Sequence, residues 1–205
     1  TTMKIMVGLV RPDEGTILIG GTSPRERTAR EHIGFMPENP SFYERLTGLE
    51  FLTFCGRLFP ERRFSAEQHC RTLLGLLGIA GAADRPIRGY SKGMKQRLGF
   101  AQALINEPAY LLLDEPLDGL DPIGRREMKL IIKRLSSDGK RTTIFFNSHI
   151  LADVEEICDA IGIIQRGALV YTGPIAPFCQ GQPLEERFVA AIQERERTAS
   201  AQHSL

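Results

Sequence analysis

An excess of charge of either sign is missing: 26 Lys and Arg face 25 Asp and Glu, a formal net charge of +1. Proteins that hold nucleic acid usually carry a strong basic excess, so no nucleic-acid partner is expected. Paired cysteines are missing too. Cys55, Cys70, Cys158 and Cys179 are scattered, with no C-x-x-C pair and no histidine at metal-ligand spacing. They read as free thiols in a reducing compartment. No apolar run approaches the roughly 20 residues of a bilayer-spanning helix. The start, Thr1-Thr2-Met3-Lys4-Ile5, lacks the pattern of a secretory leader. A cytoplasmic location is therefore expected, with any membrane work done through a partner that supplies the spans. Internal repeats and low-complexity tracts are also missing.

What remains is a chain of 205 residues, 42% hydrophobic, enough for one domain with a small subdomain. Met3, Met6 and Val7 share a helical face over Thr1 to Leu9, yet no cap precedes them, which reads as a helix that has lost its start. Strands are expected over Gly15 to Gly21 and Ile33 to Met36, and helices over Leu49 to Leu58 and Ala66 to Leu77. Ser65-Ala66-Glu67-Gln68 looks like a capping box for the second helix. Further helices are expected over Lys92 to Ile105, Ile123 to Leu135 and Ile150 to about Cys158. Tyr110 to Asp114 and Thr142 to Asn147 read as buried parallel strands. Ala160 to Gln165 and Ala168 to Tyr171 form a hairpin around Arg166-Gly167. Glu185 to Glu196 is a last helix, followed by a tail, 197–205, expected to be disordered. Strands alternating with helices imply an α/β fold with a largely parallel sheet.

Four segments carry chemistry. Leu111-Leu112-Leu113-Asp114-Glu115 ends a buried strand in two carboxylates, which are costly unless a cation or hydrogen bonds compensate them. A strand-end Asp can hold Mg²⁺ beside phosphates, and the neighbouring Glu can accept a proton from water. Taken alone, the segment reads equally well as a solvated turn. In Tyr90-Ser91-Lys92-Gly93-Met94-Lys95-Gln96, a Ser at a helix start followed by Gly presents backbone N–H groups and a positive dipole end, both suited to phosphate. Alone, a plain capped helix explains it better. Gly119-Leu120-Asp121 makes a tight loop into the next helix. His149, after a buried strand, either caps the structure or reaches a γ-phosphate at the carboxyl end of the sheet.

Together, in order and spacing, these segments resemble the ABC ATPase family over essentially the whole chain. Ser91 to Gln96 is similar to its signature motif, Leu111 to Glu115 to its Walker B strand and catalytic glutamate, Gly119-Leu120-Asp121 to its D-loop, and His149 to its switch histidine. The resemblance implies a P-loop NTPase-like α/β fold with a helical signature-motif subdomain at about 39–106, and ATP and Mg²⁺ as cofactors. It assigns catalysis to Glu115 and His149, nucleotide contacts to Thr1, Ser91, Lys92, Gly93 and Asp121, and the metal to Asp114 and Glu38. It also implies a head-to-tail pair, homodimeric or with a paralogous subunit, in which Ser91 to Gly93 meet the neighbour's ATP.

Two departures stand out. No G-x-x-x-x-G-K-[ST] occurs anywhere in the 205 residues. Thr1 falls at the position just after the Mg²⁺-binding Ser/Thr of that loop. The chain is thus expected to be truncated ahead of Thr1 and to bind ATP poorly. Glu38, in Met36-Pro37-Glu38, replaces the Q-loop glutamine, a variant that keeps an oxygen ligand. Glu38, the Tyr90 to Met94 form of the signature and the short tail helix resemble bacterial exporter subunits that pair with a separate polytopic permease. That pairing places the protein on the cytoplasmic face of the membrane. Tyr43, Leu46, Thr47 and Phe51 are the expected coupling surface, with Phe51 better explained as core. A non-transport ABC ATPase of translation or chromosome maintenance, or a non-hydrolysing module, are the alternatives.

Overall fold

The structure, a computed structural model, describes residues 1–137 and 142–202. It divides into two compact units, Thr1–Asn147 and Ser148–Leu205.

The first unit is built on three parallel strands in the order β1 (Ile33–Met36), β2 (Tyr110–Asp114), β3 (Thr143–Asn147). Its central strand is legible in composition: Leu111, Leu112 and Leu113 are all buried, as a parallel strand hydrogen-bonded on both edges requires. In register, Met36 lies opposite Leu113 and Asp114 opposite Asn147, so the three strands end at one edge. β3 departs from expectation. It alternates between exposed and half-buried residues, and Phe145 is 45% exposed, because β3 is the outer strand of the described sheet.

Helix α1 (Thr2–Met6) is shorter than its apolar pattern suggests. Gly8 turns the chain at φ +75°, and a Cβ there would meet the Pro24 carbonyl oxygen at 2.6 Å. Met3 and Val7 nevertheless pack on Ile33 and Leu112 as their spacing predicts. The strand expected over Gly15 to Gly21 is not formed. Gly15, Gly20 and Gly21 all adopt positive φ, and only an isolated bridge joins Ile19 to Thr22. A short helix, α2 (Arg27–Arg30), precedes β1.

Between β1 and β2 lie α3 (Gly48–Gly56), α4 (Glu67–Leu76) and α5 (Lys92–Ala103). The capping box expected at Ser65 is absent, because Ser65 is used in a 3-10 turn and Ala66 stands at the cap of α4. A true box opens α3 instead: Thr47 accepts from the Glu50 N–H, and Glu50 accepts from the Thr47 N–H. Cys55 and Cys70 are buried free thiols, and desolvation pushes Cys55 up to about 11, which keeps it neutral and unreactive.

Asn106, after α5, is buried and donates to the carbonyls of Glu31 and Ile33, which pins the entry of β1. α5 packs on β1 so closely that a Cβ at Gly34 would overlap the Ala103 carbonyl oxygen and crowd Pro108. Gly34→Ala should therefore cost about 1–3 kcal/mol through forced overpacking. A thermal melt should show Tm falling by about 2–4 °C per kcal/mol for a chain of this size. An unchanged Tm would mean that α5 can shift off β1 without loss. Helix α6 (Pro122–Ser137) faces inward through Met128 and Ile132.

In the second unit, α7 (Leu151–Ile157) leads into a hairpin of β4 (Ala160–Gln165) and β5 (Ala168–Pro174). Arg166 and Gly167 both adopt positive φ, the conformation a two-residue hairpin turn requires. A helix unseen in the sequence, α8 (Ile175–Cys179), adds Ile175, Phe178 and Cys179 to a core with Ile163 and Leu184. α9 runs Leu184–Gln202, beyond the Glu196 expected, and residues 203–205 of the tail expected to be disordered lie outside the described residues. Among the described residues no helix is long and apolar enough to cross a membrane.

Candidate nucleotide site

Chain leaving the carboxyl edge of the three strands carries Glu38 after β1 and Asp114-Glu115 at the end of β2. Crevices at this edge are where open parallel sheets bind ligands. Asp114 is half-buried, and its Oδ1 accepts a 2.7 Å hydrogen bond from Asn147 Nδ2 at the end of β3. One amide donor orients the carboxylate and leaves most of its lone-pair sites unspent. Glu38 is exposed on the loop after β1.

These oxygens suit a hard cation. Mg²⁺ is usually held by one or two carboxylates together with substrate phosphates rather than by a complete protein cage. The donor set fits that pattern, and no cluster of three or more His, Cys, Asp or Glu able to hold a metal occurs among the described residues.

Glu115 adopts a left-handed backbone, φ +49°. For a residue other than glycine this costs about 1–3 kcal/mol and persists only where surrounding bonds enforce it. Here they are visible. The Glu115 N–H donates to the Asn147 carbonyl at 2.9 Å, and its own carbonyl accepts from the Asp118 N–H at 3.1 Å and from Gln96 Nε2 at 2.9 Å. The kink redirects the chain at the end of β2. Neither Asn147 nor Gln96 was assigned a role from sequence, although Gln96 lies inside the signature segment and Asn147 is the first polar residue after an apolar run.

The signature segment lies against this turn. Ser91 caps α5, its Oγ accepting from the Met94 N–H at 3.2 Å. The N–H groups of Lys92 and Gly93 fall in the first turn, outside the intrahelical ladder, at the positive end of a twelve-residue helix. Gly93 faces the next loop: a Cβ there would sit 3.4 Å from Leu120 and 3.6 Å from the Gly119 carbonyl. Lys92 Nζ pairs with Asp118 at 2.7 Å, and its stem fills the space a Gly119 side chain would need. Gly119 turns at φ +68°, and Asp121 then caps α6, accepting from the Gly124 N–H at 2.7 Å.

The basic face of α5 is compensated along its length. Lys95 meets Glu44 at 2.6 Å, which holds the Glu44 carboxyl below its usual range, and Arg97 meets Glu127 at 2.7 Å. Only the acids of these pairs are exposed; Arg97 is largely buried and also donates to the Leu77 carbonyl at 2.8 Å. Burial pushes the Tyr90 phenol up, and its hydroxyl donates to the Ala82 carbonyl.

Asp114, Glu115, Ser91, Lys92, Gly93 and Asp121 thus belong to one array in the first unit, joined through the 115–121 loop. Thr1 stands exposed ahead of α1, with no side-chain cap bond. His149 is exposed, two residues after β3, at the start of the second unit. Of the expected coupling residues, Phe51 is core, Leu46 and Thr47 are half-buried, and Tyr43 is 65% exposed.

Comparison with known proteins supports the α/β fold and the family resemblance. The chain is 46% identical over 177 residues to an uncharacterized ABC transporter ATP-binding protein of Nostoc, covering 85% of this chain and 52% of that protein. It is 40% identical over 172 residues to the bacitracin transport ATP-binding protein BcrA of Enterococcus faecalis, covering 83% and 54%. It is 39% identical over 170 residues to the lantibiotic transport ATP-binding protein SrtF of Streptococcus pyogenes, covering 83% and 71%. The chain spans about half the length of the first curated relatives it matches. A solved ATP-binding subunit of an ABC transporter superposes with a TM-score of 0.83 at 28% identity, covering 93% of this chain and 82% of that one. The ABC transporter family model matches residues 1–118, and the chain belongs to that family.

Proposed function

We propose that this chain belongs to the ATP-binding and ATP-hydrolysing subunit of an ABC exporter, and that the whole subunit acts as a homodimer or beside a paralogous ATPase subunit. The reading rests chiefly on one observation: a carboxylate pair, Asp114-Glu115, at the carboxyl end of the buried central strand, with the signature helix N-terminus packed on the loop that follows. Bacitracin and lantibiotic transport relatives favour export over the non-transport branches.

In this reading Glu115 accepts a proton from the attacking water as general base. His149 contacts the γ-phosphate. The Ser91, Lys92 and Gly93 backbone and the Asp121 loop meet the nucleotide bound by the neighbouring subunit, in a two-fold arrangement that uses the same pair of surfaces twice. Asp114 and Glu38 would hold Mg²⁺, which when bound would offset charge on the phosphates. The β- and γ-phosphates also need a phosphate-binding loop, and no G-x-x-x-x-G-K-[ST] occurs among residues 1–205.

A polytopic permease is the proposed membrane partner, holding the protein at the cytoplasmic face. Exposed Tyr43 stacks edge-on against Phe54 at 5.8 Å, and Leu58 nearby is 70% exposed. Bare aromatic surface of this kind suits a partner helix.

ATP turnover with Mg²⁺ tests the reading. Residues 1–205 alone should show none, because the amides and lysine that hold the β- and γ-phosphates are not among them. The longer protein with its phosphate loop should hydrolyse ATP. Measurable turnover by residues 1–205 would mean that the phosphates are held elsewhere.

A further inference from the structure

We propose that Gln96 is a positioning residue that sets the direction of the Glu115 side chain from inside the signature helix. Its side chain is only 3% exposed and lies one turn into α5, where a buried primary amide must find partners. Its Nε2 donates to the backbone carbonyl of Glu115 at 2.9 Å, across 19 residues of sequence. That carbonyl belongs to the residue with the left-handed φ of +49°. The bond holds the kinked backbone of Glu115 in place; without it the kinked segment can shift, carrying Cα and Cβ with it and moving the carboxylate away from the water it must deprotonate.

The bond also places both functions of the site on one rigid element. Ser91, the α5 cap, lies five residues before Gln96, and α5 is a continuous helix from Lys92 to Ala103. A shift of α5 when Ser91 meets the neighbouring subunit's nucleotide is passed through Gln96 to the subunit's own Glu115. Signature-motif occupancy in one site then tunes the base of the other.

This inference rests on Glu115 being the general base, so Glu115→Gln is measured beside it. Gln96→Leu keeps the volume and removes the donor. In the longer protein carrying the phosphate loop, it should lower kcat about 10- to 100-fold, as small misplacements of reacting groups do. KM for ATP and ATP-driven dimerisation should stay within about twofold, since no nucleotide contact is lost. Gln96→Glu supplies a second readout that survives if the leucine variant misfolds. Burial raises the pKa of a carboxyl, and once protonated it can donate to the Glu115 carbonyl. Its kcat relative to wild type should therefore recover as pH falls.

Loss of kcat matched by an equal loss of ATP binding would overturn the proposal in favour of a purely structural role. So would wild-type kcat in both variants while Glu115→Gln is inactive. Normal turnover by Glu115→Gln would instead overturn the assignment of Glu115 itself.

Discussion

In the longer protein carrying the phosphate loop, Glu115→Gln should stop ATP hydrolysis while leaving ATP binding intact, with turnover falling by about 10²–10⁴-fold, the usual contribution of a positioned general base. The substitution is close to a pure change of chemistry. The left-handed turn at 115 is held through its backbone, by the Asn147 carbonyl, the Asp118 N–H and Gln96, and none of these bonds uses the side chain. The amide keeps the shape of the carboxylate but carries no charge and cannot take the proton. On the proposed reading ATP should then remain between the two subunits, and the pair should stay closed. Phosphate release and size-exclusion chromatography with ATP present check both halves. An unchanged hydrolysis rate would remove Glu115 from the role of base.

A second large effect is expected at Gly93. Within the subunit, a Cβ at this position makes only ordinary contacts, with Leu120 at 3.4 Å and the Gly119 carbonyl at 3.6 Å. The fold therefore tolerates a side chain there, and Gly93→Leu in that longer protein should bind ATP as a monomer. The surface it presents is different. Nucleotide contact at the α5 N-terminus depends on backbone N–H groups reaching a phosphate closely, and a bulky side chain blocks that approach. ATP-driven dimerisation should be lost, and hydrolysis should fall by about 10²-fold or more, because the reacting groups complete their geometry only in the closed pair. Equilibrium ATP binding, dimer fraction and turnover measured on one preparation separate these effects.

The sequence carries the local features of the fold and few of the distant ones. β2 is legible because three consecutive leucines ending in acids admit few other roles. Ser91 as a helix cap and Arg166-Gly167 as a hairpin turn are each decided within four residues, and both are found in place. The false strand at Gly15 to Gly21 shows the limit of pattern: Ile17, Leu18 and Ile19 suit a strand, but no neighbouring strand pairs with them among the described residues. Ser65 and Thr47 make the same point about caps. Both precede a glutamate or glutamine three residues on, and tertiary packing decides that only Thr47 forms the box. β3 reads as buried from composition, but its place in the sheet leaves it half open.

The candidate site divides in the same way. Asp114, Glu115, Ser91, Gly93 and Asp121 are visible as residue types at a known spacing. What holds them is not. Gln96 to Glu115, Asn147 to Asp114 and Lys92 to Asp118 bridge 19, 33 and 26 residues, and no periodicity reports such pairs. Lys92 shows why this matters. From sequence it is a nucleotide contact, and in the structure it is paired with Asp118 on the adjoining loop.

The central claim is that the signature helix of one subunit completes the nucleotide site of the other. It is tested most directly by mixing a Gly93→Leu subunit with a subunit disabled at its phosphate loop. Each heterodimer then contains one site with both defects and one site with neither. ATP should be retained at the intact composite site, and part of the hydrolysis absent from either parent should return. Heterodimers that form but retain no nucleotide at that site would contradict the cross-subunit arrangement.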